Sequence, residues 1–387
     1  ETGRLSGFIG AWCDEFNGGS KVQEFEKAWR GKFGVKHAIS VNSNTSGLIA
    51  ALGAIGLSPG DEVIVPPMTM SATAMAPLIY GGIPVFVDIE PDYFCLDLKK
   101  VEEFITTKTK AILAVDLFGH PAELASLKAL ADEKNIYLIE DAAQAPLASE
   151  NGLLAGCIGH IGVYSLNCHK HIQTGEGGVC VTSDDELALR MKAIRNHGEN
   201  IVESTKMIDV TNMVGFNFRM TEMSAAVGIE QLKKLNQFVD GREAIANKLT
   251  SVTKSIEGFI PPKVRSGCRN VYYVWAAKFK DPKNLVTRET VTRALQAEGL
   301  PVGEGYIRPL YELPTFQKRV AIGRNGWPFN LSDRKYESGM CSVADKLYNE
   351  ELMTFDICSY DLNEEEVHLV IRALNKVLSN LHALQKT

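Results

Sequence analysis

The sequence predicts an α/β protein: a mostly parallel sheet flanked by helices, followed by a smaller α+β unit. Short apolar runs alternate with helix-length amphipathic segments along the first half of the chain, an order typical of parallel sheets. The hydrophobic fraction of 45% and the charged fraction of 23% are those of an ordinary globular protein. The length of 387 residues is enough for two domains, at about 100–200 residues for each.

Six apolar runs rich in valine and isoleucine are predicted to be buried strands. In chain order they are Ala38–Val41, Glu62–Val65, Pro84–Val87, Ala111–Val115, Tyr137–Ile139 and Val179–Thr182. Between and after them lie the predicted helices Ser46–Ile55, Leu98–Ile105, Pro121–Glu133, Leu187–Arg195 and Thr221–Arg242. Such an alternation brings the carboxyl ends of the strands to one edge, where open α/β sheets bind ligands.

A domain boundary is predicted near residue 250. The segment Ser255–Arg269 is interrupted by glycines and prolines, and the strand-like run Asn270–Phe279 follows it. Two further helices are predicted at Thr287–Glu298 and Glu364–Leu384. We therefore assign residues 1–250 to an N-terminal region with the large domain, and residues 251–387 to a small C-terminal domain.

Charge and composition exclude several classes of protein. Forty-one Lys and Arg against 47 Asp and Glu give a net charge of −6 without a basic block, which argues against a nucleic-acid partner. The uncharged stretch Val63–Val87 contains four prolines, so it is predicted to be core crossed by turns and not a membrane span. Eight scattered cysteines and a beginning without signal features predict a cytoplasmic enzyme with reduced, buried thiols.

The first candidate site is the turn Asn42-Ser-Asn-Thr-Ser-Gly47, which joins a predicted strand to a predicted helix. Small residues there leave backbone N–H groups accessible at a helix N-terminus, which is a natural cradle for a phosphate. The alternative is an ordinary helix cap made by Ser or Thr.

The second candidate site is Ile139-Glu-Asp-Ala-Ala-Gln-Ala145, directly after an apolar strand. Two acids at the end of a buried strand indicate that one of them is held for function. An aspartate here can keep the ring nitrogen of a heterocyclic cofactor protonated. The alternative is that both acids only cap the following helix.

The third candidate site is the run from Tyr164 to Gly178, in which Lys170 precedes a glycine-rich turn. A lysine between apolar strands is costly to bury unless its amine has a chemical role, such as that of a Schiff-base nucleophile. His169 and His171 flank this lysine, so a metal site is the competing interpretation. Their spacing of two residues and the lack of a matching acidic motif argue against it, and no metal is predicted.

Taken together, these motifs resemble the DegT/StrS family of pyridoxal-phosphate (PLP) sugar aminotransferases, which have fold type I. The order is a small-residue Thr turn, then strand-EDAAQA, then S-x-x-x-x-K-x-I-x-x-G-E-G-G. Further matches are Pro66-Pro-Met-Thr69 with Ala72-Thr73, Pro84-Val-Phe-Val-Asp-Ile-Glu-Pro91, Asn196-His-Gly198 and Gly215-Phe-Asn-Phe-Arg-Met-Thr221. The similarity extends from about residue 20 to the C-terminal helix.

The resemblance implies roles for individual residues. Lys170 corresponds to the Schiff-base lysine, and Asp141 to the acid that pairs with the pyridine nitrogen. The other implied cofactor contacts are Ala143 and Gln144 at the ring, Met70 where an aromatic side chain usually stacks, Asn44, Thr45 and Ser165 at the phosphate, and Asn217 reaching the phosphate across a dimer interface.

The function implied is transfer of an amino group from an amino acid, with L-glutamate as the family's usual donor, to a nucleotide-linked keto-(deoxy)sugar. The reaction would use a Lys170 Schiff base and a pyridoxamine phosphate form of the cofactor. Tentative substrate residues are His171, His197, Tyr306, Arg308 and Tyr311, the last three in a run that matches a family loop. The alternative for that run is a surface turn with an exposed arginine.

Other readings of the resemblance stay open. The acceptor can be a cyclitol, a free sugar or a sugar or polyol phosphate, and a PLP-binding regulator without catalytic activity is a third possibility. Keto-sugar dehydratases of this fold carry histidine in place of the lysine, whereas Lys170 stands six positions before Glu176 here. Tyr273 and Trp275 replace the His and Tyr more usual in the family, which leaves the acceptor open. The family also implies a homodimer with shared active sites.

Overall fold

The structure, a computed structural model, describes residues 3–357, 360 and 362–386. Over these residues the predicted α/β architecture is confirmed. A large mixed sheet with helices around it occupies the first half of the chain, and a smaller antiparallel sheet lies in the second half.

Seven strands of the described residues form the large sheet. They are β1 (His37–Val41), β2 (Glu62–Val65), β3 (Ile83–Phe86), β4 (Thr109–Val115), β5 (Tyr137–Asp141), β6 (Ile161–Ser165) and β7 (Gly178–Thr182). Their spatial order is β1-β7-β6-β5-β4-β2-β3. The neighbours from β6 to β3 pair in parallel, whereas β7 runs antiparallel to both β1 and β6. The carboxyl ends of β1, β5 and β6 therefore lie at the same edge.

Six of these strands match the predicted runs to within two residues, and β6 was not predicted. Gly162 lies inside β6, and glycine inside a short apolar run weakens a strand prediction. The structure gives the reason for this glycine: a Cβ at position 162 would lie 1.8 Å from the carbonyl oxygen of Gly156. Close approach of two backbones therefore requires the residue that hides the strand.

The α-helices within the described ranges have the following bounds: Ser20–Phe33, Asn44–Ala54, Ala72–Met75, Leu98–Phe104, Leu124–Glu133, Asp185–Arg195, Val202–Thr205, Glu222–Thr253, Arg288–Ala297, Pro314–Gln317, Ser342–Lys346 and Glu364–Leu378. Several begin at a side-chain cap. Ser43 Oγ accepts from the Ser46 N–H at 3.1 Å, and Asp184 Oδ1 accepts from the Leu187 N–H at 2.9 Å. Such caps satisfy N–H groups that have no partner within the helix.

The prediction for helix Glu222–Thr253 was too short, because the helix continues eleven residues past Arg242. Its last turns contribute Ala246 and Leu249 to a second hydrophobic cluster, built around Trp275 and Phe279. Sequence patterning missed the continuation because this part of the helix faces a different core from its beginning. Helix Ser20–Phe33 packs along the long helix and received no prediction.

The small sheet consists, in spatial order, of Phe259–Ile260, Trp275–Phe279, Leu352–Phe355 and Val302–Glu304, all antiparallel. The predicted strand Asn270–Phe279 is thus shorter than expected. Tyr272 has φ 50°, and its N–H donates to Asn270 Oδ1 at 2.9 Å. This local bond between side chain and backbone turns the chain before the strand begins.

The two hydrophobic clusters bear on the predicted division of the chain. The second cluster contains much of the region after residue 250. The segment from Leu310 to Leu352 instead contributes Tyr311, Phe316 and Phe329 to the first cluster, on the large sheet. The division at residue 250 stays a prediction.

Two further expectations concern the thiols and the uncharged stretch. The seven cysteines within the described ranges are free, but Cys13 and Cys168 are exposed, so the expectation that all thiols are buried was wrong. Cys358 lies outside the described residues. The stretch Val63–Val87 is mostly buried and contains turns between β2 and β3. Among the helices that could be traced, none has the length and apolar character needed to span a membrane.

Candidate active site

A cavity of about 290 Å³ lies at the carboxyl edge of the large sheet. Nine of the residues predicted from the sequence line it: Asn44, Thr45, Met70, Asp141, Ala143, Gln144, Ser165, Lys170 and Tyr306. The other lining residues are Ser43, Thr69, Ala72, Val115, Asn167, His169, Glu176 and Tyr273. The end of β5, the loop after β6 and the start of helix Asn44–Ala54 therefore meet at one place.

Asp141 is the last residue of β5 and is 4% exposed. Its Oδ2 accepts from Thr73 Oγ1 at 2.9 Å, while Oδ1 accepts from Asn44 Nδ2 and from the Ala143 N–H, both at 3.3 Å. These neutral donors fix the carboxyl group at the floor of the cavity. Its position is set before any ligand is present.

Burial raises the pKa of Asp141, while the Thr73 hydroxyl, the Ala143 N–H and the charge of Lys170 act in the opposite direction. A buried carboxylate held by neutral groups is stabilised by a cation placed beside it. The protonated ring nitrogen of PLP is such a cation, and the donor set around Asp141 fits it. Asp141 can hold a ring proton at this position.

Lys170 reaches the same cavity from the loop between β6 and β7. Its N–H donates to the carbonyl of Asn167 at 3.0 Å, in a turn that leads the side chain over the cavity. The Lys170 Nζ lies 4.2 Å from the centroid of the Tyr273 ring. An amine at this place can form a Schiff base with an aldehyde bound above Asp141.

The helix start at this cavity is suited to a phosphate. Helix Asn44–Ala54 begins here, and the backbone N–H groups of its first turn have no acceptor within the helix except where Ser43 caps it. Ser165 ends β6 beside them. A Cβ on Gly178 would lie 2.8 Å from the Asn44 nitrogen, so glycine is needed for the beginning of β7 to pack against this helix start.

The side chain of Asn44 contacts the acid of the site. Its Nδ2 donates to Asp141 Oδ1 and to the Val163 carbonyl at 3.2 Å, so the amide group contacts the acid. The backbone N–H of Asn44 lies at the start of the helix. The contact of Asn44 with a phosphate stays a prediction.

Gln144 connects the cavity to the second half of the chain. Its Oε1 accepts from the Phe118 N–H at 2.7 Å, which fixes the orientation of the amide, and its Nε2 donates to the Tyr306 hydroxyl at 3.1 Å. The Tyr306 ring lies edge-on to Phe118, with centroids 4.8 Å apart. Burial raises the pKa of Tyr306 to about 12, so this hydroxyl keeps its proton at neutral pH.

Two of the tentative substrate residues are buried away from the cavity lining. The His171 Nε2 lies 2.8 Å from the Val271 carbonyl oxygen, and burial lowers the pKa of His171 to about 4. The Tyr311 hydroxyl donates to Asp345, and its ring packs edge-on against Phe86. Both side chains serve packing in this arrangement.

Three other predicted residues also lie outside the cavity lining. Asn217 is exposed, and its Oδ1 accepts from Arg219 Nε at 2.8 Å. The His197 Nδ1 lies 3.6 Å from a carboxylate oxygen of Glu199. Arg308 is exposed, and its Nε donates to Glu312 at 2.6 Å. The role of Asn217 at the cofactor phosphate, and those of His197 and Arg308 toward a substrate, stay predictions.

Sequence reasoning missed two groups that organise the site. Thr73 holds Asp141 from a distance of 68 residues, although a threonine in an apolar stretch carries no signal of such a partner. The Phe118 N–H fixes Gln144 through a residue whose φ is 59°, an uncommon conformation for phenylalanine. Only the folded chain brings these groups to the motifs.

A larger cavity, of about 590 Å³, lies at the opposite edge of the large sheet. Three of its charged or titratable lining residues, Lys128, His160 and Arg190, have polar partners. Lys128 and His160 both lie beside Asp132, and the Arg190 guanidinium donates to the carbonyls of Ala54, Asp209 and Thr211 at 2.6 Å. Across the described part of the chain, no cluster of three or more His, Cys, Asp or Glu could hold a metal ion.

Comparison with known proteins agrees with this geometry. Residues 12–375 match the DegT/DnrJ/EryC1/StrS aminotransferase family. GDP-perosamine synthase of Caulobacter vibrioides is 35% identical over 302 residues, which cover 77% of this chain and 79% of that protein. L-glutamine:2-deoxy-scyllo-inosose aminotransferase of Streptoalloteichus tenebrarius is 32% identical over 372 residues, covering 93% and 86%.

Among solved structures, the aminotransferase from Psychrobacter cryohalolentis superposes with a TM-score of 0.83 at 28% identity, covering 94% of this chain and 92% of that one. The resemblance predicted from the motifs is confirmed, and so are the PLP cofactor and the aminotransferase activity. This chain belongs to the DegT/DnrJ/EryC1/StrS family and is a PLP-dependent sugar or cyclitol aminotransferase of fold type I.

Proposed function

We propose that this enzyme transfers the amino group of L-glutamate to the keto group of a nucleotide-linked keto-(deoxy)sugar. The observation that supports the site is that Lys170, Asp141 and the start of helix Asn44–Ala54 line one cavity. A relative named as a GDP-sugar enzyme at 35% identity supports a nucleotide-linked acceptor. When bound, PLP supplies an electron sink for the charge that develops at the carbon losing a proton.

The residues of the chain then divide the work. Lys170 binds the cofactor covalently and, once its amine is released, moves a proton at the α-carbon of the donor. Asp141 holds the proton on the ring nitrogen, because its carboxyl group is fixed by Thr73 and Asn44 at the cavity floor. The helix start and Ser165 anchor the phosphate.

Tyr306 is proposed to orient the acceptor. Its hydroxyl accepts a hydrogen bond from Gln144 Nε2, so its own proton is left for another oxygen. A keto oxygen in the cavity is a suitable acceptor for that proton. Tyr306 would thereby hold the acceptor with its carbonyl carbon facing the amino group that this carbon receives.

We also propose a homodimer with shared active sites, in which Asn217 serves the partner's cofactor. The described cavity lining contains no arginine, although a donor carboxylate and a diphosphate both need cations. Met70 at this cavity is 59% exposed, and Ile208 and Val214 are exposed apolar side chains. A second copy of the chain would supply cations to the cavity and would cover these exposed apolar side chains.

The assignment of Lys170 is tested with Lys170→Ala beside Lys110→Ala. Lys110 borders the larger cavity at the other edge, so its removal is a matched control. After borohydride reduction, mass spectrometry is expected to find the cofactor fixed on the peptide that contains residue 170 in wild type and Lys110→Ala. Lys170→Ala is expected to lose this bond and at least about 1000-fold in kcat. Cofactor fixed to Lys170→Ala would contradict the proposal.

To test the acceptor, the enzyme is first converted to its pyridoxamine phosphate form with L-glutamate, and ketones are then added one at a time. Turnover with keto-sugar nucleotides, and not with the same sugars lacking the nucleotide, is expected. Turnover with only a cyclitol ketone would overturn the nucleotide-linked acceptor and leave the role of Lys170 intact. Absence of conversion by L-glutamate, with conversion by L-glutamine, would overturn the proposed donor.

A further inference from the structure

The aromatic face beside Lys170 is a feature that the proposed reaction does not use. The Nζ of Lys170 lies over the Tyr273 ring, 4.2 Å from its centroid. Tyr273 is only 9% exposed and lines the cavity, so the contact is largely shielded from water. A cation held over an aromatic face is stabilised by the quadrupole of the ring, and more strongly where water is excluded.

The segment that carries Tyr273 is bound to the loop that carries Lys170. His171 follows the lysine directly, and its Nε2 lies 2.8 Å from the Val271 carbonyl oxygen, which accepts a hydrogen bond from it. The Val271 N–H donates in turn to the Gly119 carbonyl at 3.0 Å. A Cβ on Gly119 would lie 2.9 Å from the Tyr273 nitrogen, so this segment packs closely against the end of the large sheet. The Tyr273 ring and Lys170 are therefore held in place by the same group of contacts at the end of the large sheet.

The other charged and titratable groups near Lys170 come from four elements. Asp141 lies at the end of β5, His169 and His171 lie in the lysine's own loop, Glu176 lies in the glycine-rich turn, and Tyr306 comes from the second half of the chain. Glu176 Oε1 accepts from Asn167 Nδ2 at 3.0 Å. His171 is uncharged, and Tyr306 keeps its proton. Asp141 and Glu176 are the carboxyl groups that line this cavity with Lys170, and the charge of Lys170 acts on Asp141.

We propose that Tyr273 is a positioning residue whose ring holds the ammonium of Lys170 whenever that amine is not bonded to the cofactor. This inference rests on the proposed function, which makes Lys170 the Schiff-base lysine. The ring gives the released amine a fixed place over its face. The amine would then stay beside the substrate, while Asp141 remains available to the ring nitrogen of the cofactor.

The test uses the full chain loaded with pyridoxamine phosphate, in which Lys170 carries a free amine. All lysines are labelled with ¹³C at the ε-carbon. The signal of Lys170 is identified as the one that disappears in Lys170→Arg. In wild type and Tyr273→Phe, the ring current is expected to displace this signal upfield. In Tyr273→Leu, which keeps an apolar side chain, the displacement is lost and the pH midpoint of the signal falls by about one unit.

A Lys170 signal with the same position and midpoint in wild type and Tyr273→Leu would overturn the inference. If Tyr273→Leu does not fold, wild type decides: a nuclear Overhauser contact between the Lys170 ε-protons and the Tyr273 ring protons is expected, and its absence overturns the inference. Borohydride fixing of PLP on Lys170 is measured in the same variants. Loss of fixing in wild type would instead contradict the proposed function.

Discussion

The two edges of the large sheet hold cavities of opposite character. The cavity at the strands' amino edge is about twice as large, yet three of its basic groups, Lys128, His160 and Arg190, are partnered by Asp132 or by backbone carbonyls. The cavity at the carboxyl edge is smaller and contains a buried acid held by neutral donors, with a lysine nearby. Size therefore does not identify the reactive site. The buried Asp141 with Lys170 in the same cavity marks the candidate site, because titratable groups perturbed by burial cluster at functional sites.

After Lys170→Ala, the largest expected effect is that of Asp141→Asn. The amide keeps the shape of the side chain but removes the charge that stabilises a protonated ring nitrogen. We expect a loss of about 100-fold to 1000-fold in the rate constant for single-turnover conversion of the cofactor by L-glutamate. The control is Asp209→Asn at the amino edge, where the carboxylate is exposed and lies 3.4 Å from Arg190. Equal losses in both variants would remove the distinction between the edges.

A second prediction compares the histidines of the two regions. The pKa of His171 lies at about 4 in the folded protein and near 6.5 in the unfolded chain, because burial disfavours the charged ring. As pH falls from 6.5 to 4, the unfolded chain takes up the proton first, so the free energy of unfolding falls by about 3 kcal/mol through this group.

Urea unfolding between pH 7 and 4.5 measures this effect. His171→Gln keeps a donor for the Val271 carbonyl. This variant is expected to show a smaller decrease in the free energy of unfolding toward acid pH, which we call the acid limb. His160 at the amino edge is half-buried and interacts with Asp132, which raises its pKa against the lowering by burial. His160→Gln is therefore expected to change the limb less. A steeper limb in His171→Gln than in wild type would contradict the assignment.

The smallest expected effect separates two tyrosines. Tyr306→Phe removes a hydroxyl that accepts from Gln144, and we expect kcat/KM for the keto acceptor to fall about 5-fold to 10-fold. Conversion of the cofactor by L-glutamate is expected to change less than about 2-fold, since the donor does not need this bond. Tyr137→Phe, in the amino-edge cavity, is the control and should leave both steps unchanged. Equal loss in both half-reactions would assign Tyr306 to the cofactor instead.

Local patterning predicted most of the large sheet but not the places where distant backbones meet. The run Ile64–Val65 needs only hydrophobicity to be assigned to a strand. Strand β6 escaped because Gly162 is required by the carbonyl of Gly156, a contact that no local pattern contains. The end of helix Glu222–Thr253 escaped for a similar reason, because its last turns pack on the second cluster.

The two acids that end β5 illustrate how far the site could be predicted. Side chains alternate along a strand, so Glu140 and Asp141 face opposite sides of the sheet. Glu140 accepts from the N–H groups of Gly156, Ile158 and Gly159, whereas Asp141 faces the cavity. Which acid served the cofactor came from the family resemblance. The sequence alone could indicate that one of them was held for function, but not what held the other.

The reversed direction of β7 has a consequence for the order in which the protein assembles. Ser165 pairs with Gly178, so β6, the lysine loop and β7 form a compact hairpin-like unit that closes a short stretch of chain. Val41 also pairs with Gly178, yet about a third of the chain separates them. Closing that long connection carries the larger loss of chain entropy and is the slower event. The lysine loop can form early, but the start of helix Asn44–Ala54, where we propose that the phosphate binds, meets this loop only when β1 docks. We therefore expect capture of the cofactor to report the completion of this edge of the sheet.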